Sequence, residues 1–340
     1  MTFTTVEQLE EFLSRPNPAD IEAIKELEGD LIILGVGGKM GPSLAVRAAR
    51  AAQAAGVERR IIGVSRFSSG NLRGRLEEAG VETIAADLME QEELARLPDA
   101  PNVIYMAARK FGTTGSEHLT WAMNTYLPGR VAERYYASRI VAFSSGNVYP
   151  LVPVRSGGAT EKTPEHPIGE YAMSVLGRER MFQHFSERYG TPVTLLRLNY
   201  AVDLRYGVLH DIARKVFERH PINLSMGSAN VIWQGDANSV CLRSFALCSS
   251  PPFILNLTGP ETFSVRQVAR RFGEIFGVEP IFEGVESDNA LLNDASRCHQ
   301  LFGYPSVTLG EMIDWVAKWI AAGGPQWNKP THFEVRDGKF

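Results

Sequence analysis

The sequence predicts an α/β protein, a doubly wound parallel sheet followed by a smaller α+β C-terminal lobe. Three observations carry this reading. Short apolar runs alternate with helical patterns from residue 30 to about residue 199. A glycine-rich turn, "LGVGGKMG" (34–41), joins the first such run to the helical pattern after it. Beyond residue 200 the alternation loosens into helical segments separated by short strand-like pieces. Strands and helices alternating at this spacing imply right-handed crossovers and a parallel sheet.

Taken in order, residues 5–14 and 18–27 read as short amphipathic helices split by "RPNP", so residues 1–28 form an N-terminal helical extension. "DLIILGVGG" (30–38) is apolar and ends in glycines, the pattern of a strand buried on both faces. "PSLAVRAARAAQAAG" (42–56) is Ala-rich and helical, and Gly56 stops it. Strands follow at 59–65, 81–88 and 102–108, then a long helix over 116–137 and a strand at 139–146. The helix bearing Tyr171 runs to about Tyr189 and leads to a strand at 192–199. Helices are expected over 207–219, 264–276, 288–302 and 308–321, while "FILNLTG" (253–259) returns to the sheet as a late strand. The domain plan is therefore a sheet domain (29–200, with that late strand) interleaved with a smaller lobe (201–330) across a shared cleft.

Composition narrows the function classes. The chain of 340 residues is 44% apolar and 22% charged with a formal net charge of −4, an ordinary globular balance. No basic excess favours nucleic acid or an anionic membrane as partner. Cys241, Cys248 and Cys298 are odd in number and lack CxxC spacing, which argues against disulfides or zinc and suits a reducing cytoplasm. The seven histidines show no HxxxH or HExxH spacing, so no metal is expected. The N-terminus is acidic without an apolar run, and no stretch approaches the ~20 apolar residues of a membrane span.

The glycine turn carries the first chemistry. Gly35, Gly38 and Gly41 recur at three-residue spacing between a strand and a helix. Such glycines allow a tight turn, close backbone approach to a pyrophosphate and close helix–strand packing, while the helix start offers N–H groups to the anion. This context makes the sheet Rossmann-type and dinucleotide-binding, with Lys39 and Met40 inside the turn. The second strand ends in "GVSRF", placing Ser65 and Arg66 where an NAD site tends to carry a carboxylate. An arginine there can hold a 2′-phosphate, so NADP is preferred over NAD.

"VAFSSGNVYP" (141–150) ends a strand at the carboxyl edge of the sheet, and its Ser145 precedes Tyr171 by 26 residues. With the glycine triplet, Asp87, "MAA", Asn124, "SSGNVY" and Tyr171, residues 30–325 resemble the extended short-chain dehydrogenase/reductase superfamily, in its NAD-dependent epimerase/dehydratase group. The resemblance implies that Asp87 and Leu88 flank the adenine, that Ala107 and Ala108 line the nicotinamide side, and that Asn124 supports the site. It implies that Ser145 hydrogen-bonds the reacting oxygen and that Tyr171 is the acid/base, in contact with the cofactor. It also implies a homodimer through the helices at 116–137 and 169–189.

The sequence departs from the family where its tyrosine motif continues to lysine: position 175 is valine, in "GEYAMSVLGRER". A free phenol titrates near pH ~10, and a nearby cation favours the phenolate. Lys110, in "AARKFGTTG" after the fourth strand, is the candidate substitute at the cleft mouth. Arg178 lies two helical turns from Tyr171 and reads equally as a solvated residue of "GRER". Asn147, Asn199, Arg205, Tyr206 and Trp233 are candidate substrate contacts, though Trp233 reads as readily as core packing. Basic residues for a nucleotide diphosphate are sparse over 200–234, which keeps a free or simply derivatised sugar open as substrate. The function expected is an NAD(P)-dependent epimerase/dehydratase-like oxidoreductase on a sugar or nucleotide sugar. The alternative is a catalytically impaired NAD(P)-binding module or redox sensor.

Overall fold

Most of the apolar runs become strands because they are short, rich in Ile, Val and Leu, and covered on both faces, whereas the edge run Glu82–Ala85 stays partly exposed. In the computed structural model, which describes residues 2–68, 70–110, 112 and 115–339, seven of them form one sheet. These are Leu31–Leu34 (β1), Ile61–Ser65 (β2), Glu82–Ala85 (β3), Asn102–Tyr105 (β4), Arg139–Ser145 (β5), Val193–Leu198 (β6) and Phe253–Leu257 (β7). All neighbours are parallel, in the order β7-β6-β5-β4-β1-β2-β3. The winding reverses between β1 and β4, so the carboxyl ends of those two strands flank the crevice where open α/β sheets bind ligands.

Short helices α4 (Leu72–Glu78) and α5 (Gln91–Arg96) join β2 to β3 and β3 to β4, and alternation along β1 shows how the layers assemble. Leu31 and Ile33 pack with Leu44 and Ala48 of α3 (Gly41–Ala55). Ile32 and Leu34 pack on the opposite face with Leu127 and Val131 of α7 (Leu127–Arg134). α8 (Gly169–Tyr189) adds Phe182 to that second layer. It is also bolted to the sheet by charge: Arg197 of β6 and Glu179 of α8, both fully buried, meet at 2.7 Å.

The N-terminal helices α1 (Val6–Leu13) and α2 (Pro18–Glu26) are built into the core. Leu9 and Leu13 join Trp233 and Trp315 in one apolar cluster. Asp20, fully buried, takes the Arg47 guanidinium of α3 at 2.6 Å and the Ser239 hydroxyl of α10 (Gln234–Arg243). The smaller lobe packs α9 (Val208–Phe217), α11 (Val265–Phe276) and α13 (Leu309–Ala321) around Ile212, Phe272 and Val316.

Two predicted elements need correction, and one helix was missed. The helix expected over 116–137 is α6 (Glu117–Trp121), a π-helical turn at Ala122–Tyr126 and then α7. The helix expected over 288–302 is only α12 (Ser296–Phe302). Before it, Asn289–Ala290 pairs antiparallel with Val152–Pro153, and Asp294 bends the chain by accepting the Ser296 N–H at 2.8 Å. α10 was not anticipated, because it is buried along nearly its whole length and shows no amphipathic stripe.

Candidate functional site

The glycine turn leaves β1 with Gly35 at φ +94°, in the left-handed region that side chains disfavour. A Cβ there would fall 2.6 Å from the Ala107 nitrogen, and one on Gly41 would fall 2.2 Å from the Val36 oxygen. The turn is thus wedged between the exit of β4 and the start of α3, while Gly37 and Gly38 remain exposed. No side chain caps α3. Exposed glycine backbone at an uncapped helix start fits a dinucleotide's diphosphate. Ser65, at the end of β2, lies against this loop, its Oγ 2.3 Å from where a Gly37 Cβ would sit.

Ser145 closes β5 and Tyr171 lies in the first turn of α8; both are 8% exposed, and the Ser145 hydroxyl is near enough to act on the Tyr171 phenol. The Asn147 backbone N–H and side-chain amide donate to the Ser145 hydroxyl, at 3.2 and 3.0 Å. Burial pushes the Tyr171 phenol above the ordinary tyrosine range, partly offset by the Arg178 charge and by Ser145. Val175 is fully buried in an apolar cluster with Tyr171, Val148 and Leu292.

Two lysines stand where the helix offers none. The Lys110 ammonium lies 5.9 Å from the centre of the Tyr171 ring. Burial depresses it to about 8, with the Asp211 carboxylate pulling the other way. The Lys39 ammonium sits 3.0 Å above the Tyr206 ring. Burial and then repulsion from Lys110 and Lys329 bring it down to about 7. Glycine turn, β4 exit, α8 and α9 therefore converge on one electropositive corner of the crevice.

Asn124 holds that corner together from the π-helical turn. Its amide donates to the Arg109 carbonyl at 2.8 Å and the Ser174 hydroxyl at 3.0 Å. Its oxygen accepts the Arg109 N–H at 2.9 Å and an Arg178 N–H at 3.0 Å. Arg178 is not a solvated residue; it is buried and also donates to the Phe143 carbonyl at 2.7 Å.

Other expected residues divide by environment. Ala107 lies against the glycine turn, and Ala108 follows it, exposed. Asp87 and Leu88 follow β3; Arg66 is largely exposed and reaches Asp87 at 3.7 Å. Asn199 is buried and donates to Asn230 at 2.8 Å. Arg205 is locked inside the fold, at 2.6 Å from both Asp203 and Glu10. Trp233, 2% exposed, packs edge-on to Trp315 and has no face left for a sugar. Both corrections have one cause, the N-terminal helices, which bring Glu10 to Arg205 and Phe12 to Trp233.

The sequence reading missed Asp211 and Tyr200. Tyr200 sits at φ +49°, an outlier for a bulky residue, close enough to Tyr171 and Glu334 for their charges to act on its buried phenol. Its only sequence signal was its place after the Asn199 strand end.

The model of the NAD dependent epimerase/dehydratase family matches residues 31–218. No curated protein sequence matches the chain. Among solved structures, the Thermus thermophilus UDP-glucose 4-epimerase in complex with NAD superposes with TM-score 0.69 at 19% identity, covering 85% of this chain and 97% of that one. The Thermotoga maritima UDP-glucose 4-epimerase with UDP-glucose gives 0.68 at 17% identity, covering 86% and 99%. The Bacillus cereus UDP-glucuronic acid 4-epimerase with UDP-glucuronic acid and NAD gives 0.69 at 18%, covering 86% and 99%. At these identities the likeness is one of fold.

Proposed function

Because the chain belongs to the NAD-dependent epimerase/dehydratase family, we propose that it is an NAD(P)-dependent oxidoreductase acting at a hydroxyl or carbonyl of a sugar or nucleotide sugar. The observation that carries this reading is the buried Ser145–Tyr171 pair at the sheet's carboxyl edge, with Lys110 5.9 Å from the tyrosine ring. A bound nicotinamide dinucleotide supplies the hydride acceptor or donor. Gly35, Gly38 and Gly41, with the backbone at Lys39 and Met40, hold its diphosphate; Ala107 and Ala108 border its reactive end. Ser145 holds the sugar oxygen. Tyr171 gives that oxygen a proton on reduction and takes one on oxidation. The raised phenol favours the donor role at neutral pH. Lys110, carried on the segment that Asn124 pins, supplies the cation that Val175 cannot.

Residues 29–200 hold the dinucleotide in this reading, and residues 201–330 form most of the substrate side. NADP is the finer proposal, on Ser65 and the exposed Arg66, although Asp87 draws off part of that charge. Of the relatives named above, the Thermus thermophilus and Bacillus cereus structures carry NAD. Arg66→Ala should weaken NADP binding and spare NAD; equal loss of both would remove the preference. A homodimer through α6–α8 is supported by Leu119, Tyr126, Met173 and Tyr189, large apolar side chains left exposed there. Tyr126→Lys should then shift sedimentation toward monomer.

The buried Val175 supports a second reading, a module that binds dinucleotide without turnover. Supplying reduced cofactor with a panel of keto-sugars separates the two. Loss of nicotinamide absorbance supports the enzyme; saturable binding with unchanged absorbance across the panel supports the module.

A further inference from the structure

α10 is buried along nearly its whole length, yet it carries two side-chain amides into an apolar layer. Gln234 and Asn238 lie one turn apart on it, so they share a face. They are 4% and 0% exposed. Around them Leu44 of α3 and Ala237 and Cys241 of α10 belong to one apolar cluster. Methionine and leucine would fill this volume with no polar group to satisfy.

Both amides end on one atom. Gln234 and Asn238 each donate an N–H to the Ser43 hydroxyl oxygen, both at 3.0 Å. That hydroxyl donates in turn to the Met40 carbonyl at 3.1 Å. A serine hydroxyl has one proton and two lone pairs, so Ser43 is saturated and its orientation is fixed. The Met40 carbonyl also accepts the Leu44 N–H, at 3.1 Å. Met40 joins the glycine turn to α3, and no side chain caps the helix there. The N–H groups at this junction are the ones offered to a diphosphate. The arrangement has a cost: the Asn238 carbonyl oxygen is buried with no partner among the described residues. Packing does not require that oxygen; holding Ser43 requires the amide that brings it.

We propose that Gln234 and Asn238 are positioning residues for the dinucleotide, acting through Ser43 to hold the Met40 backbone in its diphosphate-binding orientation. This rests on the reading of the glycine turn as the dinucleotide site. Donors fixed before binding meet the anion without reorganisation, so the trio contributes to affinity more than to folding stability.

The test is the full-length double variant Gln234→Met/Asn238→Leu, which replaces both amides by apolar side chains of similar shape. NADH and NADPH are titrated by nicotinamide fluorescence. Adenosine, which has no phosphate, is titrated by ligand-observed NMR, and stability is read from urea melts. Affinity for the dinucleotides should fall about 10-fold, while adenosine binding and the urea midpoint hold. Unchanged dinucleotide affinity overturns the proposal. So does a parallel fall in adenosine affinity and urea midpoint, the pattern of a purely structural pair. If the double variant does not fold, Asn238→Leu alone, which leaves Gln234 on Ser43, carries the same test with a loss of about threefold. A wild type that binds neither dinucleotide removes the reading of the glycine turn, and the proposal with it.

Discussion

At the residue scale, the chemistry turns on how a buried phenol is served without a helical lysine. Burial holds Tyr171 protonated at neutral pH, with Arg178 and then Ser145 moderating the cost of the phenolate, while the Lys110 ammonium lies 5.9 Å from the ring centre. Lys110→Met should lower turnover at least about 100-fold while leaving the dinucleotide Kd nearly unchanged, in steady-state kinetics paired with direct binding. The pH profile gives a second readout. Lys110 is a cation below about 8 and neutral above it, so activity that needs the cation should fall as pH rises through that value. In Lys110→Met the inflection should be gone. Val175→Lys should not restore a family-like site: it places an ammonium in the cluster of Val148 and Leu292 and should cost on the order of 3 kcal/mol in a denaturant melt. The valine substitution was plain in the sequence. The burial of Arg178 was not, because "GRER" has the composition of a surface and only the packed layers on α8 reveal otherwise.

At the element scale, α8 is the beam that carries Tyr171, and its attachment to the sheet is ionic. Arg197 and Glu179 are both fully buried, and Glu165 and the Tyr149 hydroxyl complete the arginine's shell at 2.6 and 2.7 Å. Glu179→Gln should destabilise the protein by about 3–5 kcal/mol in urea unfolding, since it leaves a buried guanidinium short of its charge partner. The π-helical turn is the second device. It aims Asn124 at Arg109 and α8 together, so Asn124→Ala should lower kcat more than it weakens dinucleotide binding. Periodicity located the helix at 116–137 but did not show this turn, because the extra residue offsets the apolar spacing at one point only, within a pattern that is helical on both sides. α10 was invisible for the opposite reason: burial on all sides leaves no polar face to set a period.

At the scale of the whole molecule, the parallel sheet was legible, though not its strand order, because most of its strands are short apolar runs bounded by turn residues. Both ends of the chain were legible only as segments. Nothing in "PQWNKPTHFEVRDG" carries a period, and its anchors, Asp211 and Lys215, lie more than a hundred positions away. The fold also stores charge at the crevice. Lys39 titrates at about 7 in the folded chain against 10.5 as its ordinary value. Between those limits the unfolded state keeps a proton the folded state lacks, so stability should rise with pH across the window. Lys39→Met should flatten that slope and add on the order of 3 kcal/mol at neutral pH, read from melts across the pH range. Among the described residues no helix is long and apolar enough to cross a membrane, and no group of three or more His, Cys, Asp or Glu side chains could hold a metal ion.

The measurement that bears most directly on the account is single-turnover oxidation of bound reduced dinucleotide by a keto-sugar, comparing wild type with Tyr171→Phe. The expected result is cofactor oxidation in the wild type and a rate lower by about 100- to 1,000-fold in the variant, with dinucleotide affinity preserved. Equal rates in the two proteins would contradict the assignment of Tyr171 as the proton donor.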